Sequence, residues 1–214
     1  MEIAWHGHSC FRLTERNAAS IVTDPFDKSI GLPASRLKAD VVTISHDAPG
    51  HSNYDAIKGA RTIIGPGEYE IGGAFITGVN ASSTKSETDS ETFLNTAYVI
   101  TYESASVCHL GDISTIPSQT QIEALGTVDV LLIPVGGGKS LNAAQAAEII
   151  SLIEPSIVVP MHYRVGNINV KLDPLSRFLK EMGLGKIDSE TNLKVVKSNL
   201  PEETQIEVLE LRSG

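Results

Sequence analysis

The sequence predicts a mixed α/β sandwich, two sheets with helices laid on their outer faces, and three observations lead there. Short β-branched runs bounded by Gly, Pro, Asn or Asp recur along the chain. They crowd the first third and residues 61–109, whereas residues 110–185 alternate helix with strand. The 214 residues, 41% of them hydrophobic at a mean hydropathy of +0.01, hold enough apolar material for a sizeable core. Single cores run to about 250 residues before splitting, and no linker or internal repeat interrupts the pattern. Residues 1–214 are therefore expected to form one domain.

Taken in chain order, strands are expected at 2–6, 9–14, 19–23, 40–45, 61–64, 74–79, 95–102, 105–109, 128–133, 156–160, 192–196 and 204–209. The clearest helix runs from Asn142 to Ile153. Ala146, Ile149, Ile150 and Ile153 make its apolar stripe, and Pro155 stops it. Ser52–Lys58, Ser118–Leu125 and Pro174–Met182 are the other helical segments. Asn80–Asn95 is a long polar stretch between two strands and reads as a mobile hairpin tip.

Charge narrows the partners. With 17 basic against 26 acidic residues the net charge is −9 and the pI about 5.1, which disfavours nucleic acid and anionic membranes. No apolar run approaches the ~20 residues of a membrane span, and MEIAWHGHSC lacks the features of a secretory leader, so a cytoplasmic protein is expected. Cys10 and Cys108 lie in apolar strands and read as buried reduced thiols.

The six histidines carry the functional signal, because each falls at or beyond the end of an expected strand. His6 and His8 close the first; His46 follows ADVVTIS, with His51 beyond it; His109 follows ASVC and His162 follows SIVVPM. Carboxyl ends of strands line the ligand crevice in open α/β sheets, and imidazole is the commonest metal ligand. One such histidine would be read as a hydrogen-bonded core residue; four separate segments together favour a metal site. Asp112, three residues beyond His109 across a glycine turn, adds a carboxylate.

VTDPF at 22–26, the SHxxxxH loop at 45–51, HLGD at 109–112 and PMHY at 160–163 resemble the metallo-β-lactamase superfamily in order and spacing. The WxGHSCF opening is similar to its compact bacterial branch of metal-dependent hydrolases related to ascorbate-6-phosphate lactonase. The resemblance covers essentially the whole chain and implies a four-layer αββα sandwich with the active site along one edge. It implies His46, His51, His109, Asp112 and His162 as metal ligands, Asp112 bridging two ions and serving catalysis, and Asp24 as the acidic residue that braces the metal loop.

The chain departs from that pattern in the loop itself. Where the family reads His-x-His-x-Asp-His, this sequence has His46-Asp47-Ala48-Pro49-Gly50-His51, so a histidine and an aspartate are missing at Ala48 and Gly50. By the family's division one ion would keep His46, His109 and Asp112, and the other His51, His162 and Asp112. Three ligands and an open position still suit a catalytic zinc. His8 offers a replacement for the side chain absent at 48: on a continued strand His6 and His8 would point together, and His8 would become a ligand or a hydrogen-bonding partner. Its other reading is a histidine bonded to backbone within the Gly7-His8-Ser9 turn.

VGGGKS at 135–140 ends like a phosphate-binding loop, but Ile133 stands where the first glycine belongs. Its glycine amides and Lys139 remain a candidate contact for a substrate phosphate or carboxylate, against the plainer reading of a turn with Ser140 near a helix cap. Tyr163 and Arg164 are candidate substrate contacts by proximity to His162, whereas Glu68 and Glu70 read as solvated strand-edge carboxylates.

The expected function is a metal-dependent hydrolase acting on a small lactone, amide or phosphoester, using one or two divalent ions. Zinc is favoured, and manganese, nickel or iron also suit the N/O donors. The expected partner is a small-molecule substrate, and homo-oligomers are compatible with the sequence. The alternative is a non-catalytic member of the fold that binds a small ligand or partner, for which Ala48 and Gly50 argue.

Overall fold

The computed structural model describes residues 1–33, 36–84 and 92–212. In chain order it contains β1 (Glu2–Gly7), β2 (Cys10–Thr14), β3 (Ile21–Thr23), β4 (Val41–Ile44), β5 (Arg61–Ile64), β6 (Gly67–Ile71), β7 (Ala74–Asn80), β8 (Ser83–Thr84), β9 (Thr92–Phe93), β10 (Thr96–Thr101), β11 (Ser106–His109), β12 (Val130–Pro134), β13 (Ile157–Met161), β14 (Leu193–Lys194) and β15 (Gln205–Ile206). The helices are α1 (Gln119–Leu125), α2 (Ala143–Ile153) and α3 (Leu175–Glu181). Every strand expected from the sequence forms. β6, β8 and β9 are additional; in β6 Glu68 and Glu70 are exposed on the edge of a sheet, in keeping with their reading as solvated strand-edge carboxylates, and their charge interrupts the apolar pattern that marks the other strands.

Six strands make one sheet in the order β14-β1-β2-β3-β4-β5, and seven make the other, β15-β13-β12-β11-β10-β7-β6. Both are mixed. β1 to β3 run antiparallel and β3 to β5 parallel, while β11, β12, β13 and β15 are parallel and β6, β7, β10 and β11 antiparallel. β7 and β10 pair directly, with Asn80 opposite Thr96, and β8 and β9 prolong that hairpin. Of the Asn80–Asn95 segment expected to be a mobile tip, β8 and β9 are described and residues 85–91 lie outside the described residues.

The period of two explains the layering. In the first sheet Phe11, Ile21 and Val41 point into the main core, where they meet Ile76, Ile100 and Val107 of the second sheet. Their neighbours Cys10, Val22 and Val42 point the other way into a smaller cluster with Phe26, Ile30 and Ile57. Both faces of the sheet are thus covered. Complete burial of a side chain such as Phe11 or Ile21 contributes about 1.5–3 kcal/mol. Tyr98 staples the layers, its hydroxyl donating from β10 to the Ile44 carbonyl of β4 at 3.0 Å.

Capping fixes two helices. Ser118 with Gln121, and Asn142 with Gln145, form reciprocal capping boxes on α1 and α2. The helix expected at Ser52–Lys58 shortens to one 3-10 turn, Tyr54–Ala56. Asn53 makes no cap there and donates instead to the Phe26 carbonyl, and Ile57 alone is buried, so little packing supports a longer helix. The outer layer over the first sheet is accordingly loop and 3-10 turn. Cys10 and Cys108 are buried free thiols.

Candidate metal centre

Four strand ends converge. His8 follows β1, Asp24 follows β3, the 45–51 loop leaves β4, and His162 follows β13. The imidazoles gather closely: ring centroids lie 4.1 Å apart for His8 and His162, 4.7 Å for His8 and His51, 4.1 Å for His46 and His51, and 5.6 Å for His51 and His162. All four rings are buried. Burial above all pushes His46 and His162 down to about 4 and His8 well below its ordinary value, so these rings are neutral at pH 7 and keep a lone pair to donate.

Asp24 organises the loop. Its backbone adopts φ 38°, and its fully buried carboxylate accepts from Ser45 N at 2.8 Å, Ser45 Oγ at 2.5 Å and His51 Nδ1 at 2.9 Å. Burial would raise this carboxyl, but the hydrogen bond from His51 and the imidazoles of His109, His51 and His46 hold it at about 2. His51 therefore carries its proton on Nδ1 and turns Nε2 away from the brace. Ser45 Oγ also contacts His46 Nδ1 at 3.0 Å. The loop closes on the Ala48 carbonyl, which accepts from the amides of His51 and Ser52, while Asp47 accepts from the Ser52 hydroxyl at 2.8 Å.

β1 does not continue past Gly7, so the condition under which His6 and His8 would share a face is not met. The register jumps between Trp5 and Gly7, and Gly7 pairs with Cys10, leaving His8 at φ 52° in a two-residue turn. His6 sits at the irregularity, lowered to about 4 by burial and then by the charges of Arg212 and Arg12, outside the histidine group. The turn is clamped by its carbonyls: His8 O accepts from Trp5 Nε1 at 3.0 Å and from His162 N at 3.1 Å. Ser9 O accepts from His109 Nε2 at 2.9 Å.

That last bond relocates His109. Its Nδ1 accepts from Gly111 N at 3.2 Å, so both ring nitrogens are engaged and the buried imidazole ties β11 to the β1–β2 turn instead of joining the other four. Asp112 does reach the group, with Oδ1 3.5 Å from His162 Nε2. Asn95, which the sequence reading passed over, shapes this corner: its side-chain oxygen accepts from Asp112 N at 3.0 Å and its amide donates to Leu110 O at 3.0 Å. Gly111 is required at φ 65°, since a Cβ there would lie 2.3 Å from Asn95 Oδ1.

The group opens onto a cavity of about 660 Å³, lined among others by His8, His46, His51, Asp112, His162 and Lys139. Tyr163 does not line it. Its ring is buried against Trp5, 5.1 Å between centroids, because residues 162 and 163 turn to opposite sides at the end of β13. Arg164 is exposed and is likewise not among the residues lining the cavity. The α2 N-terminus is closed by Asn142 and Gln145, and the amides of Gly137 and Ser140 bond within their own loop. Of the features expected to meet an anion, Gly138 and Lys139 are the ones placed at the cavity.

The group suits a divalent cation. His8 Nδ1, His162 Nδ1 and Asp112 Oδ1 are buried without a hydrogen-bond partner, and leaving such atoms unpaired costs about 1–3 kcal/mol each. Ring nitrogens of His8, His51 and His162 lie within 4.8 Å of one another, as do donor atoms of Asp24, His46 and His51. In the second set the carboxylate is already taken up by Ser45 and His51.

Comparison with known proteins agrees with this architecture. Residues 2–162 match the family model described as beta-lactamase superfamily domain. A UPF0173 protein of Pyrococcus furiosus is 33% identical over 76% of this chain and 83% of its own. A UPF0173 metal-dependent hydrolase of Thermoplasma acidophilum is 28% identical over 81% and 88%. Among solved structures, a candidate zinc-dependent hydrolase of the metallo-β-lactamase superfamily from Thermotoga maritima superposes with a TM-score of 0.77 at 33% identity, covering 98% of both chains. With its two mixed sheets, its strand-end histidines and these matches, the chain belongs to the metallo-β-lactamase superfamily.

Proposed function

We propose that the protein is a metal-dependent hydrolase that acts on a small lactone, amide or phosphoester in the 660 Å³ cavity. One observation carries the reading: four buried imidazoles and the Asp112 carboxylate, drawn from separate strand ends, meet at the wall of that cavity. The relatives described as metal-dependent hydrolases support it.

His46, His51, His162 and Asp112, with His8 beside them, form the ligand pool, and His109 acts through the turn it holds. A bound divalent ion would polarise the scissile bond and lower the pKa of water from 15.7 to about 7. Zinc is the favoured ion for these N/O donors, with manganese, nickel or iron as the alternatives to be separated by metal analysis. We assign Asp112, whose buried Oδ1 makes no hydrogen bond, to accept the proton of the attacking water. Asp24 fixes the His51 tautomer. Lys139 at the cavity orients an anionic substituent of the substrate. The acidic chain needs neither nucleic acid nor a membrane for this chemistry, no helix among the described residues could cross a bilayer, and we place the activity in the cytoplasm.

The test pairs metal content by plasma mass spectrometry with turnover of generic esters, lactones and phosphodiesters. At least one equivalent of metal with turnover abolished by Asp112→Ala is the expected result. Metal without turnover would favour the ligand-binding reading that Ala48 and Gly50 suggest, and protein that stays metal-free after incubation with zinc, manganese, nickel and iron(II) would refute the proposal.

A further inference from the structure

The family loop loses its aspartate at Gly50, and the structure shows what occupies that space. A Cβ added to Gly50 would lie 2.8 Å from His8 Nε2 and 3.1 Å from His8 Cδ2. The His8 ring therefore stands where a side chain at position 50 would begin. It is 2% exposed, its Nδ1 has no partner, and it packs on both His51 and His162.

We infer that His8 replaces the missing loop carboxylate and completes, with His51 and His162, a three-histidine site for a single divalent ion. The inference rests on the metal-dependent reading above and narrows it to one ion and one ligand set.

Three arrangements lead to this set over the alternatives. His51 is held by Asp24 through Nδ1, which leaves Nε2 for the interior of the group. The neighbouring set around His46 depends on Asp24, whose oxygens already accept three hydrogen bonds. His109 is committed at both nitrogens, so an ion at the family's first position would keep only His46 and Asp112 of the three ligands the loop resemblance implies. Three imidazoles with an open position are a known ligand count for catalytic zinc. Asp112, beside His162, borders the site as a fourth donor or a proton acceptor.

The position of His8 does not depend on the ion. Trp5 and the His162 amide grip its carbonyl, and His109 grips that of Ser9, so the turn is preset. Gly50 and His8 are then a compensating pair: a larger residue at 50 excludes the ring, and the ring makes a carboxylate at 50 unnecessary.

The experiment measures zinc stoichiometry and affinity, by mass spectrometry and competition with a chromophoric chelator, in the full chain and in His8→Ala, His46→Ala, Gly50→Asp and His8→Ala/Gly50→Asp. Circular dichroism checks folding. One equivalent is expected in the unaltered protein. Losing even an outer partner of a ligand weakens metal binding about 10–100-fold, so His8→Ala should weaken it at least about tenfold. His46→Ala should weaken it less than His8→Ala does. Gly50→Asp alone should weaken binding by displacing the ring, and the double variant should recover part of the His8→Ala loss. Unchanged affinity in a folded His8→Ala, or two equivalents that both require His46, overturns the inference while leaving the metal-dependent reading standing. Protein that binds no zinc, manganese, nickel or iron(II) overturns both.

Discussion

Replacing Asp24 with Asn tests the brace without disturbing its backbone. Asp24 has φ 38°, a left-handed conformation that Asn tolerates, and the two side chains have the same shape. The change removes charge and one acceptor. Asn still accepts from Ser45 N, but its amide now faces the N–H of His51 and the Ser45 hydroxyl. Ser45 can rotate. His51 can recover a hydrogen bond only by moving its proton from Nδ1 to Nε2, which takes the lone pair from the nitrogen turned toward the metal group.

Two magnitudes follow. The carboxyl sits at about 2 against an ordinary 3.8, and at 1.36 kcal/mol per pH unit that difference amounts to about 2 kcal/mol of stability. Because the folded value is depressed, this stabilisation is complete above pH 3.8 and disappears as pH falls toward 2. In chelated protein, denaturant unfolding at pH 7 should therefore show Asp24→Asn less stable by about 2 kcal/mol, with the deficit narrowing below pH 3.8. Zinc affinity should fall about 10–100-fold through the wrong tautomer. A variant within about 0.5 kcal/mol of the original and with unaltered zinc affinity would refute the assignment of Asp24 as the brace of His51.

Other consequences can be checked in the same protein. Tyr98→Phe removes the donor to the Ile44 carbonyl between the sheets and should lower unfolding free energy by about 1–3 kcal/mol in a denaturant titration. Gly111→Ala places a Cβ 2.3 Å from Asn95 Oδ1 at φ 65°, so destabilisation beyond about 2 kcal/mol and weaker metal binding are expected. Lys139→Ala, at an exposed side chain, should change stability by less than about 0.5 kcal/mol yet raise KM for anionic substrates and leave KM for neutral ones unaltered. Burial raises both thiols, Cys108 to about 12, so a thiol reagent should modify Cys10 and Cys108 only as fast as the chain unfolds.

The strands were legible because they are short apolar runs between turn residues, and the one long strand the search missed, β6, is the edge strand with charged Glu68 and Glu70. The region of the site was legible too, since strand ends place His46, His51, His162 and Asp112 together. What each histidine does there was not. His109 and His162 both end apolar strands, and only the turn geometry separates them: the 109 ring lies between Ser9 O and Gly111 N, while at φ 52° the 162 ring enters the cavity wall. The His8 proposal looked to position 48 because sequence spacing says nothing of which loop residue the β1–β2 turn overlies; the structure puts the ring at Gly50. Adjacency to His162 suggests Tyr163 as a contact, yet the chain turns between them and sends its ring to Trp5.

The backbone indicates why the group holds its form. Five described residues other than glycine have positive φ: His8, Asn17, Asp24, Glu154 and His162. Asn17 lies in the turn between β2 and β3 and Glu154 ends α2, so the three that remain all belong to the histidine group or its brace. Strain of this kind costs about 1–3 kcal/mol per residue and survives only where the surroundings over-determine it. Here they do: Asp24 N bonds to Thr43 O at 2.9 Å, His162 N bonds to His8 O, and Trp5 closes on the same carbonyl. The clamping atoms are backbone groups and an indole, none of them a proposed ligand atom, so the arrangement is set by folding and an ion would enter a preformed site. Chelated and zinc-loaded protein should then give the same near-ultraviolet circular dichroism around Trp5, with zinc raising Tm through binding alone. A large spectral change on adding zinc would mean that the ion, and not the fold, draws His8 and His162 together.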